Sequence, residues 1–78
     1  MNIVYSKQAT KAINGMDKPT KKRIREGIEK IPAGDISPME GYTDGSRRLR
    51  IGKYRIIFVI KDNTVVVRDI GSRGNIYK

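Results

Sequence analysis

The sequence predicts an α+β fold, a two-helix hairpin packed on a mostly antiparallel four-stranded sheet in the order β-α-α-β-β-β. Three observations carry this expectation. Apolar residues recur at helical spacing between Ala9 and Ile31, and they alternate at strand spacing from Leu49 onward. Short turn-forming stretches, Gly52-Lys53 and Lys61-Asp62-Asn63-Thr64, then cut the second half into hairpin-connected strands.

Taken in order, Asn2-Ile3-Val4-Tyr5 reads as a first strand with Ile3 and Tyr5 on one face. Ser6 is a good helix N-cap, and Ala9, Ala12, Ile13 and Met16 follow on one helical stripe. The small residues of this stripe suit close packing on a neighbour. Pro19 fits the first turn of a second helix, whose stripe is Ile24, Ile28 and Ile31 beside Gly27. Glycine costs about 1 kcal/mol of helix propensity relative to alanine, so close helix approach is expected to compensate there. Pro32 and Gly34 end the helix, and the short join between the two helices favours an antiparallel pair. Residues 33–46 hold too many turn formers for a regular element, with Ile36 and Met39 anchoring the loop on the core. Arg48–Ile51 and Tyr54–Ile60 form the central hairpin, with Arg47 just before its first strand. Thr64–Ile70 follows as an interior strand, with Val65 and Val67 on one side and Val66 and Ile70 on the other. Tyr5, Leu49 and Tyr54 read as structural, and Ile13, Ile24, Ile28, Ile56 and Phe58 as the main core.

Seventy-eight residues make one domain over 1–78, near the lower size for a core without disulfides. The chain has no cysteine and no histidine, which excludes disulfides, thiolate zinc sites and imidazole chemistry. No cofactor or metal site is expected. The longest apolar run, Ile56–Ile60, is far below membrane-spanning length, and the first residues lack the pattern of a secretory signal, so a cytoplasmic location is expected. The net charge is +9, unevenly placed. Residues 1–46 carry eight basic and six acidic side chains, whereas residues 47–78 carry nine and two. A localised anionic partner is the expected reason.

The candidate site is the hairpin. Five basic residues and no acid lie from Arg47 to Arg55. Alternation puts Arg48 and Arg50 on the face opposite Leu49 and Ile51, and the returning strand can bring Arg55 alongside. Guanidinium groups stay charged at physiological pH and match phosphate in bidentate geometry. The plainer alternative is a solvated basic face. Arg73 and Tyr77 lie four residues apart near the chain end and can reach the rim of the same face. A tyrosine among arginines has its phenolate stabilised, so Tyr77 reads either as a general base or as an anchor for the chain end. Arg47 and Lys53 read as outer phosphate contacts. Tyr42 reads as a base-stacking ring or a hydrophobic plug. Arg68, among valines, either covers apolar surface with its stem or joins the site with its head.

These residues carry a resemblance. Arg48-Leu49-Arg50-Ile51-Gly52-Lys53-Tyr54-Arg55 and Ile70-Gly71-Ser72-Arg73-Gly74-Asn75-Ile76-Tyr77 resemble the hairpin and the I-x-x-R-x-x-x-Y ending of the RelE/ParE toxin superfamily. The order of the elements is similar over essentially the whole chain. The resemblance implies the toxin of a toxin–antitoxin pair, partnered by a cognate antitoxin. RelE-like members cut messenger RNA in the ribosomal A site without a metal, the 2′-OH attacking the adjacent phosphate. ParE-like members instead poison DNA gyrase. The positions of the RelE-type site fall on Arg48, Arg50, Arg55, Arg73 and Tyr77, which favours the nuclease branch and makes the ribosome and mRNA the expected partners. A gyrase inhibitor and a non-catalytic RNA-binding domain are the alternatives. Two departures stand out: arginines occupy the paired position where the nuclease branch often has lysines, and only Lys78 follows Tyr77 where many relatives carry a helix.

Overall fold

The computed structural model describes residues 2–31, 33–38 and 45–72. The described chain runs β1 (Asn2–Tyr5), α1 (Lys7–Asn14), α2 (Lys18–Glu29), β2 (Asp35–Pro38), β3 (Arg47–Ile51), β4 (Tyr54–Lys61) and β5 (Thr64–Ser72). The strands form one sheet in the order β1-β5-β4-β3-β2. All neighbours are antiparallel except β1, which runs parallel to β5. The α+β architecture and element order are those expected, with one strand more. Asp35–Pro38 pairs with β3, where turn formers led to the expectation of an irregular loop. A four-residue edge strand tolerates such residues, because a proline there need not donate to a second neighbour.

Each turn has a local cause. Gly52 takes φ +58°, the left-handed conformation that a two-residue hairpin loop needs. Asp62 and Asn63 are both left-handed, at φ 51° and 57°, as a type I′ turn requires. The Ser6 hydroxyl caps α1 by accepting the Ala9 N–H at 3.0 Å. Asp17 caps α2 without a side-chain hydrogen bond, and Pro19 lies in its first turn.

One face of the sheet meets the helices. The core there comprises Ala9, Ile13, Ile24, Ile28, Ile31, Leu49, Ile56, Phe58, Val65, Val67 and Ile70. Tyr5, Ile36 and Tyr54 are half-buried against it, in the structural roles the sequence assigned them. Met39 lies outside the described residues. Helix α1 lies on β5, and α2 lies across β3. Gly27 is where α2 comes closest: a Cβ there would fall 3.1 Å from Ile51 Cγ1 and collide with Cδ1. The close approach expected at this glycine is therefore made to a strand, not to the other helix.

Ile70 corrects the face assignment in β5. Strict alternation sets it with Val66, yet it is buried with Val65 and Val67. The register shows why: Phe58 faces Val67 but Ile57 faces Asp69, so Arg68 is an extra residue in a β-bulge. The bulge resets the alternation and returns Ile70 to the core.

Two outcomes test this packing. Phe58 is fully buried, so Phe58→Ala should cost about 3–5 kcal/mol in denaturant melts; a loss below about 1 kcal/mol would contradict the packing. Gly27→Ala should fail to deliver its expected gain of about 1 kcal/mol, and should deliver it in an Ile51→Ala background. The edge strand adds a pH test. Burial raises the Tyr5 pKa above its usual value of 10, with a smaller lowering by Arg25 and a raising by Glu29. The folded chain then holds this proton more tightly than the unfolded chain. That stabilisation is complete below about pH 10 and is lost as pH rises through the raised pKa. Stability measured against pH should decline there less steeply for Tyr5→Phe than for the wild type.

Candidate polyanion-binding hairpin

The β3–β4 register builds the site. Leu49 faces Ile56 and both point into the core, so their neighbours along the strands, Arg48, Arg50, Arg55 and Ile57, point to the other face. Arg50 lies directly opposite Arg55, and Arg48 lies opposite Ile57 on the same face. Ile57 is itself buried, so apolar packing supports the arginine stems. The Nε atoms of Arg48 and Arg55 are also buried. Fixed stems hold guanidinium heads in place and lower the entropy lost when an anion binds.

A cleft of about 460 Å³ opens at the hairpin tip, lined among the described residues by Arg50, Gly52, Lys53 and Arg55. Lys53 Nζ stands 5.7 Å from the centre of the Tyr54 ring. The cleft thus gathers three of the cations singled out in the sequence, and Arg48 lies one residue pair farther along the same face. Arg47 is exposed and, by register with Phe58, alternates to the helix side of the sheet. Arg73, Tyr77 and Tyr42 lie outside the described residues.

Arg68 does more than cover valines. From the bulge its Nη1 donates to the Ser46 hydroxyl at 3.1 Å. Ser46 is buried and immediately precedes β3. The bulge itself is pinned from β1: the Ser6 N–H donates to the Val67 carbonyl at 2.8 Å, and the Ser6 hydroxyl donates to the Arg68 carbonyl at 2.6 Å. Asp69 caps its own successor, accepting the Ile70 N–H at 2.9 Å. Ser46 was not among the sequence candidates. Its signal, a polar residue ahead of an alternating strand, is shared by most strand starts. Arg23 was not among the sequence candidates either, yet its guanidinium lies against Gly52.

A small α+β chain that sets Arg48, Arg50 and Arg55 on the hairpin face turned away from the helices presents the charge and geometry that could take a phosphate-like anion. Its sequence places it more narrowly. Residues 3–77 match the family described as the ParE toxin of the type II toxin–antitoxin system, parDE, and the chain belongs to the RelE/ParE toxin superfamily. Solved structures agree in fold. The RelB–RelE antitoxin–toxin complex of Methanococcus jannaschii contains a chain 26% identical, with TM-score 0.77, covering 95% of this chain and 94% of that one. The RelE–RelB complex of Pyrococcus horikoshii gives 26% identity, TM-score 0.74 and coverage of 95% and 96%. The YoeB dimer of Staphylococcus aureus shares the fold at 21% identity and TM-score 0.73, with coverage of 88% and 92%. No curated protein matches the chain.

The cleft should respond to a simple anion. Phosphate should raise the melting temperature above that in chloride of equal ionic strength, because a ligand held by the folded state alone stabilises it. Arg50→Gln should remove at least half of that increment, and Lys30→Gln should leave it intact. Equal increments in all three proteins would place the anion elsewhere.

Proposed function

We propose that this protein is the toxin of a toxin–antitoxin pair and acts as a metal-independent, ribosome-dependent endoribonuclease on messenger RNA in the A site. The observation that carries the reading is the placement of Arg50 opposite Arg55, in a cleft on the face that also holds Arg48. The 26% identity to RelE chains solved with their RelB antitoxins supports it.

In this reading the arginines at 48, 50, 55 and 73 clamp the scissile phosphate and offset the charge that develops on it. Tyr77, as the phenolate, takes the proton of the 2′-OH and becomes the phenol as that oxygen bonds to phosphorus. The bond to the 5′-oxygen breaks, leaving a 2′,3′-cyclic phosphate on one product. The departing oxygen takes its proton from water, because guanidinium groups hold theirs at every physiological pH. Lys53 and Arg68 serve as outer backbone contacts, Arg68 while also tethered to Ser46, and Tyr42 stacks on a base; Arg47, which alternates to the helix side, takes no part in this clamp. An acidic or amphipathic antitoxin segment neutralises the toxin by covering the basic face or wrapping the helices. The matched family is described by its ParE member, and this favours a second reading, inhibition of DNA gyrase, which needs neither Tyr77 as a base nor the ribosome.

The test is single-turnover cleavage of A-site message on saturating programmed ribosomes, followed by primer extension. Wild-type protein should cut. Tyr77→Phe, which keeps the ring, should bind ribosomes as wild type but cut roughly 10²–10⁴-fold more slowly, the usual worth of a positioned acid–base group. Near wild-type cutting by Tyr77→Phe would make Tyr77 an anchor only. No cutting by the wild type, with gyrase inhibited instead, would establish the second reading.

A further inference from the structure

Helix α2 brings another cation to the hairpin tip. A Cβ on Gly52 would lie 3.2 Å from Arg23 Nη2, 3.5 Å from Cζ and 3.6 Å from Nη1. Three such similar distances mean that the guanidinium lies against the turn at Gly52. Gly52 also lines the cleft with Arg50, Lys53 and Arg55. Cations therefore run from the sheet face, past the tip, onto the helix. Arg23 is exposed, so an anion that passes the hairpin tip can reach its guanidinium.

We propose that Arg23 and Lys53 form a second phosphate subsite, continuous with the Arg50–Arg55 cleft and filled by a backbone phosphate of RNA. The proposal rests on the reading of the hairpin as an RNA phosphate site and adds the path that the strand takes beyond it. A row of cations spaced around a turn suits a chain with one phosphate per nucleotide. An acidic peptide would need a run of carboxylates at matching intervals. The phosphate belongs either to the message or to ribosomal RNA, since both present the same chemistry. The i, i+4 spacing that puts Gly27 over Ile51 also puts Arg23 over Gly52, so the helix–strand contact itself aims this residue.

The experiment measures binding across a salt titration, to a 2′-O-methyl oligoribonucleotide that cannot be cut and, separately, to vacant ribosomes. Arg23→Gln should weaken binding roughly two- to fivefold at low salt and reduce the salt slope by about 0.7, one phosphate contact on a single strand. Arg23→Lys should keep the slope. Lys22→Gln removes the same charge from the next position of the helix and should change neither quantity. A loss on the oligonucleotide assigns the phosphate to the message, and a loss on ribosomes alone assigns it to ribosomal RNA; both support the subsite. Equal effects of Arg23→Gln and Lys22→Gln would overturn it. So would unchanged RNA binding with weakened binding of the antitoxin. The binding arms need no cleavage: if the wild type fails to cut ribosome-bound message while Arg23→Gln still lowers the slope, the nuclease reading falls and the subsite stands.

Discussion

The antiparallel register of β3 against β4 is the constraint on which the rest depends. One alignment sets Leu49 against Ile56 beneath the helices and Arg50 against Arg55 on the opposite face. Side chains in a strand alternate with a period of two, so a slip of one residue would turn the arginines into the core and expose the apolar set. Burying unpaired guanidinium groups costs several kcal/mol each. The cost of any other alignment is therefore what makes this one unique. Gly52 fixes the alignment from one end, because its left-handed φ of +58° closes a two-residue loop.

The other end of the hairpin is held from farther away. Ser6 ends β1, caps α1 and bonds the bulge in β5, and the bulge residue Arg68 reaches back to Ser46 at the start of β3. Three elements distant in sequence thus meet through two serines and one arginine. The bulge resolves a conflict in β5. Without it, Val65, Val67 and Ile70 could not share the core face. With it, the strand bends and frees a side chain to tie down its neighbour. The apolar contacts of Leu49, Ile56, Ile57 and Phe58 hold the strands that carry this basic surface.

Most of the architecture was legible because the period of the apolar pattern changes cleanly from helix to strand. Both hairpin turns, the N-cap at Ser6 and the core residues Ile13, Ile24, Ile28, Ile56 and Phe58 followed from local chemistry. The Asp35–Pro38 strand did not, since its pairing with β3 overrides the turn propensity of its own residues. Nor did the bulge, because an inserted residue has no signature in an alternating run of valines. In the site, the shared face of Arg48, Arg50 and Arg55 came directly from alternation and turn length. Arg23 was hidden for a different reason. Nothing in a helix sequence says which strand turn will lie beneath it, and only the contact of Gly27 with Ile51 aligns the two.

If this hairpin face is the RNA site, phosphates meet its arginines before any chemistry begins. Nitrogen-15 spectra of the arginine Nε–Hε groups, recorded while uncut 2′-O-methyl RNA is added, test that residue by residue. Burial of the Arg48 and Arg55 Nε atoms slows exchange of their protons with water, which keeps those signals observable. The signals of Arg48, Arg50 and Arg55 should shift together and saturate together, while Arg25 on α2 stays in place. Saturable shifts at Arg25 with Arg50 and Arg55 unmoved would contradict that assignment.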